Sequence, residues 1–117
     1  MVRKILAVLV GVFAAGGTIA LVEYVGHSLV GDSSADVLFA IVAMGYGVGA
    51  LVASAIAGRI APAAWPAIVA CVLLAVLAVG NLFVIEHPIW FVPLAATLML
   101  GGFFQGRKLF TRERVAA

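Results

Sequence analysis

Asn81-Leu82-Phe83-Val84-Ile85-Glu86-His87-Pro88-Ile89-Trp90-Phe91 is a polar corner set between two long apolar runs. Its Glu86 is the only charged residue between Arg59 and Arg107. Pro88 marks the turn, and Trp90 stands at the start of the run that follows. Similar punctuation at Glu23 to Asp36 and at Arg59 to Pro66 divides the rest of the chain. The uncharged runs left between are 5–22, 37–58, 60–85 and 88–106, of 18, 22, 26 and 19 residues. About 20 residues of helix cross a ~30 Å hydrocarbon layer, so each run amounts to one span.

Composition points the same way. Of the 117 residues, 66% are apolar and only 10% charged, against about 45–50% and about 25% in soluble domains. So short a chain cannot hide that much apolar surface in one aqueous core, whereas lipid accepts it. Backbone groups in lipid must pair within the segment, which requires helices; a membrane barrel would need polar residues at alternate positions. The expected fold is all-α: a polytopic membrane protein with four transmembrane helices in an antiparallel bundle. It is one domain over 1–117, with spans at about 5–27, 37–58, 65–85 and 89–108 and a short basic tail over 109–117. The run behind Met1-Val2-Arg3-Lys4 is long enough to span, so it is expected to be a retained first helix rather than a signal peptide.

Charge sets the expected orientation. Arg3, Lys4, Arg59, Arg107, Lys108, Arg112 and Arg114, all of the Lys and Arg, fall on one side of such a bundle. Asp32, Asp36 and Glu86 fall on the other. The positive-inside bias then puts both termini and the basic tail in the cytoplasm, with Trp65 and Trp90 at opposite surfaces. There is no basic face with interleaved aromatics, which argues against nucleic acid. The lone Cys71 excludes an intramolecular disulfide.

Small residues set the expected packing. In the second span Ala43, Gly47, Ala50, Ser54 and Ala57 repeat at alternating spacings of four and three, and Gly45, Gly49 and Ala53 form a second stripe. Small side chains let helix backbones approach, so Gly45, Gly47, Gly49, Ala50, Ala53 and Ser54 are the expected packing residues. Two such faces suit a central helix touching two neighbours. The short 86–90 turn predicts that spans three and four form a hairpin. In the first span Gly16, Ala20, Glu23 and His27 lie on one stripe.

Candidate chemistry gathers toward the acidic surface, where Glu23, His27, Asn81, Glu86 and His87 make an expected polar cluster. Three uses compete. Glu23 and His27 can pair at i, i+4 or with Asn81 while Glu86 and His87 are solvated, since polar groups at span ends reach the interface cheaply. A carboxylate facing the bundle interior can carry a proton or cation. Finally, His27, His87, Glu23 and Glu86 offer imidazole and carboxylate ligands to a divalent metal, although their spacing matches no metal motif. No catalytic set is evident: Ser28, Ser33 and Ser34 have no base fixed near them, and no cofactor site is expected. Tyr46, near or below mid-membrane, can bond a neighbouring helix.

Glu23-Tyr24-Val25-Gly26-His27 and the 81–91 corner resemble a loose group of short bacterial four-helix membrane proteins of unassigned function. The shared features are a Glu-x-x-Gly-His end to the first helix and an Asn-Leu…His-Pro-x-Trp-Phe corner before the last. The resemblance implies a multi-pass protein of the bacterial inner membrane and transfers no activity. In size and in its first-helix Glu the chain is also similar to small multidrug-resistance transporters, although Glu23 lies near the end of its helix. The expected function is that of a non-enzymatic accessory or assembly subunit, packing in the bilayer against a larger membrane complex or against itself. The alternative is a small oligomeric transporter or channel for a proton, cation or cationic compound, using Glu23.

Overall fold

A computed structural model describes residues 1–31, 35–61, 64–84 and 86–116, with side chains described apart from residues 30, 35 and 110–116. Four helices follow in order: α1 (Val2–Val30), α2 (Ala35–Ile60), α3 (Ala64–Val84) and α4 (Phe91–Ala116). Asp32, Ser33, Ser34, Pro62 and Ile85 lie outside the described residues, as do the side chains of Arg112, Glu113 and Arg114. Among the described residues, Val2–Leu29, Asp36–Ile60 and Ala64–Val84 are long and apolar enough to cross a membrane. In α4, Pro93, Thr97, Gly101, Gly102 and Gln105 dilute the apolar run, and Arg107 and Lys108 close it. The basic segment beyond residue 108 continues α4 as helix to Ala116.

Local sequence explains the helix ends. Gly31 adopts φ 58°, and its N–H donates to His27 O at 2.9 Å, closing α1 with a glycine in the left-handed region. Pro66 and Pro93 both fall in the first turn of their helices, where a missing N–H breaks no helical bond. At the 86–90 corner, Phe91 N–H donates to Pro88 O at 3.1 Å and Leu94 N–H to Trp90 O at 3.2 Å, starting α4 directly after the turn.

Packing is inverted relative to a soluble protein. The core is mainly alanine: Ala15, Ala43, Ala50, Ala53, Ala57 and Ala70 are fully buried. Among the described residues the largest fully buried side chains are only Pro66 and Ser54. Large apolar residues such as Phe13, Leu21, Leu77 and Phe83 face outward. Water would drive those side chains in; lipid does not, so small residues hold the interior and backbones come together. This arrangement fits a membrane protein. The long dimension of 45 Å matches a bilayer with its headgroups, about 40–45 Å.

α2 is the central helix. On one side Gly45 and Gly49 face Val22, Ile19 and Ala15 of α1, and Ala53 faces Gly11. On the other, Gly47 meets Leu98, while Gly102 packs on the Gly47 carbonyl and on Leu51. Gly106 lies against Leu51, Ser54 and Ala55. The fully buried Ser54 hydroxyl donates to Phe103 O at 2.9 Å, tying α2 to α4. α3 touches α1 and α2 through Ala67, Ala70 and Leu74, but scarcely touches α4. The expected hairpin of spans three and four is therefore joined at its corner and open along its length. α4 is held on α2 instead: the Phe91 ring packs on Phe39 at 5.3 Å and on Tyr46 at 6.3 Å, and Gly102 and Gly106 bring the two backbones together further along.

A methyl group on Gly102 would run into the Gly47 carbonyl, and overpacking of this kind costs about 1–3 kcal/mol. Gly16 faces open space, and Ala there is favoured over Gly by about 0.5–1 kcal/mol in a helix interior. Unfolding in mixed micelles followed by circular dichroism should therefore show Gly102→Ala destabilised and Gly16→Ala unchanged or stabilised.

Candidate functional site

The polar residues of the expected cluster share one end of the bundle. Val22 packs on Gly45, so Glu23 lies close in depth to Tyr46, half-buried, and His27 lies about one turn further out, exposed. Ser28 Oγ donates to Tyr24 O at 3.0 Å, a local helical bond. Asn81 is engaged elsewhere. Its Nδ2 donates to Tyr46 Oη at 3.1 Å, joining α3 to α2. The two groups thus share a depth, although counting along the sequence puts Tyr46 near or below the middle and Asn81 toward the outer end. The difference arises because α2 and α1 extend past the end of the 21-residue α3.

Glu86 is exposed in the corner. His87 is half-buried, with its ring 5.9 Å from that of Phe91. Among the described residues no three His, Cys, Asp or Glu side chains stand close enough to hold a metal ion, so His27, His87, Glu23 and Glu86 do not gather into a site there. The opposite end is basic. The Arg3 side chain donates to Ile60 O, and Lys4 Nζ lies 5.9 Å from the Trp65 ring centre, a cation–π contact between α1 and α3.

The expected packing residues all sit in interfaces of α2. Gly45, Gly49 and Ala53 face α1, Gly47 and Ser54 face α4, and Ala50 is fully buried beneath α3, its carbonyl accepting from Cys71 Sγ at 3.6 Å. In contrast, α1 leaves small residues uncovered. Gly16, Gly17 and Ala20 are exposed, and a side chain added at either glycine would meet no described atom within 4 Å.

One feature has no counterpart in the sequence motifs. Between α3 and α4, with Tyr46 and Ala50 of α2 as its floor, lies a groove of about 530 Å³. Its walls include Ala75 and Ala78 on α3 and Ala95, Ala96 and Met99 on α4, so apart from the Tyr46 hydroxyl and the Cys71 thiol it is apolar. The alanines signal a missing side-chain volume in the sequence; the two helices stand apart there while α4 packs along α2. Compared with protein-family models, with curated proteins and with solved structures, the chain matches none of them.

The Asn81–Tyr46 bond spans two helices within the apolar layer, where side-chain hydrogen bonds average about 0.6 kcal/mol and reach about 1.7. A double-mutant cycle of Tyr46→Phe and Asn81→Leu, read by unfolding in micelles, should give a coupling within that range. A coupling of zero means the pair is not formed.

Proposed function

We propose that this chain is a non-enzymatic subunit of the bacterial inner membrane that docks other membrane helices through the open face of α1. It crosses the bilayer four times as an antiparallel bundle with both termini cytoplasmic. α4 counts as the fourth crossing because it lies along α2 from Phe91 to Gly106, at the depth of a helix that is itself long enough to span. The distribution of Arg and Lys supports the orientation: Arg3, Lys4 and Arg59 lie at the end where Arg107 and Lys108 close α4.

The observation that carries the reading is the uncovered strip Gly16, Gly17 and Ala20. In lipid, small residues stabilise a structure only where another backbone approaches them. Those of α2 are used within the chain, while those of α1 face outward beside the half-buried Glu23 and the exposed His27. A partner helix lying in the strip would bring a hydrogen-bonding group to Glu23, which favours orientation and specificity. The transporter reading uses the same carboxylate, and it requires that several copies turn their Glu23 faces toward a shared path.

Purification from the native membrane in mild detergent separates the two. The expected result is a stoichiometric partner that is lost in Gly16→Leu, with helix content and thermal stability no lower because Gly16 meets no neighbour within the chain. Ion or drug flux by the protein alone in proteoliposomes, abolished by Glu23→Gln, would overturn the subunit reading.

A further inference from the structure

The basic end of the bundle carries charge without its complement. Arg3, Lys4, Arg59, Arg107 and Lys108 gather there, whereas Glu23, Asp36 and Glu86, the carboxylates among the described side chains, lie toward the other end. Two of these cations are positioned by neutral groups. Arg3 Nε donates to Ile60 O at the end of α2, and Lys4 Nζ stands 5.9 Å from the Trp65 ring centre on α3. Both side chains thus lean from α1 over the junction of α2 and α3, and neither meets a carboxylate among the described residues. The Arg3 Nη donors and the Lys4 charge remain for an anion from outside the chain. Depth decides which anion is at hand. The 21 residues of α3 are about 30 Å long, the thickness of the hydrocarbon layer. Trp65, the second residue of α3, therefore lies at the hydrocarbon edge, with Lys4 and Arg3 in the headgroup layer beside it. We propose that Arg3, Lys4 and Trp65 seat the headgroup of an anionic phospholipid of the phosphatidylglycerol kind.

Both halves of that lipid find a match. A guanidinium and an ammonium side by side suit a phosphodiester, the one as a planar fork and the other as a point charge. The indole N–H of Trp65 is a further donor for a phosphate or ester oxygen. Ethanolamine and choline lipids bring their own cation and are neutral overall, so unmatched positive charge favours the glycerol headgroup. Each Lys or Arg near an anionic lipid surface strengthens the attraction about fivefold. Below the charges, Ile68 and Val72 follow Trp65 at i+3 and i+7 on one face of α3, and both are exposed. An acyl chain attached to the bound phosphate lies along them, whereas a soluble anion leaves them unused. The site needs α1 and α3 to cross the bilayer, and it is independent of any partner helix on the Gly16 strip.

The test is native mass spectrometry of the full chain, released from micelles that contain phosphatidylglycerol and phosphatidylethanolamine in equal amounts. One phosphatidylglycerol is expected to stay bound on the order of tenfold more often than phosphatidylethanolamine. Lys4→Gln should lower that excess about fivefold. Lys108→Gln removes the same charge from α4 at the same end and should leave the excess in place. Trp65→Leu is a second variant should Lys4→Gln lose helix content, and it too should lower the excess. Equal retention of the two lipids overturns the proposal. An equal fall in Lys4→Gln and Lys108→Gln also overturns it, because the charges then act as a diffuse field and not as a site. Glycerol phosphate, the same anion without acyl chains, should not be retained. If it binds as well as the lipid, the site belongs to a soluble anion and the lipid assignment fails.

Discussion

The structure depends on how closely the backbone of α2 approaches those of α1 and α4. In water, burial of large apolar side chains holds a fold together; in lipid that drive is absent, and contact between helix surfaces must replace it. Contact of that quality needs glycine and alanine at the interface. Gly45, Gly47, Gly49, Ala53 and Ser54 supply it from α2, with Gly11, Gly102 and Gly106 answering from its neighbours. Interhelical hydrogen bonds such as Ser54 to Phe103 and Asn81 to Tyr46 are each worth about 0.6 kcal/mol on average for their kind, so they orient helices that packing has already joined.

The same constraint explains what is left open. Glycines on α2 are spent on α1 and α4, and Phe91 fixes α4 against Phe39 and Tyr46. α3 is then held from one side only, through Ala67, Ala70 and Leu74. Its other side, with Ala75 and Ala78, faces α4 across an unfilled groove. The chain thus leaves two surfaces open: a shallow strip of small residues on α1 and an apolar groove between α3 and α4.

Much of this was legible in the sequence, because the relevant signals are periodic along one helix. The spacing of Gly45, Gly47, Gly49 and Ala53 gives two faces of α2, and each face meets the helix that its small residues admit. The 81–91 corner marks the break between α3 and α4. What could not be read was azimuth, the direction in which each helix turns its faces around the bundle. Residue counting assigns Asn81 a depth without its partner, and Tyr46 supplies that partner from a helix far away in sequence. Nor does a short turn reveal that Phe91 will fold across to Phe39 rather than keep α4 beside α3; an aromatic contact between non-consecutive helices leaves no local period. Glu23 and His27 were likewise readable as one stripe, but not as part of a face turned outward with Gly16 and Ala20.

The central role of α2 is tested most directly by oxidative crosslinking of paired cysteines in a Cys71→Ser background, in native membranes. A Cβ on Gly45 lies 3.6 Å from the Cβ of Val22, within the range a disulfide spans. Val22→Cys with Gly45→Cys should therefore form a disulfide readily, while Ala75→Cys with Ala96→Cys, facing each other across the groove, should stay reduced. Rapid crosslinking of the α3–α4 pair with none between α1 and α2 would contradict the account.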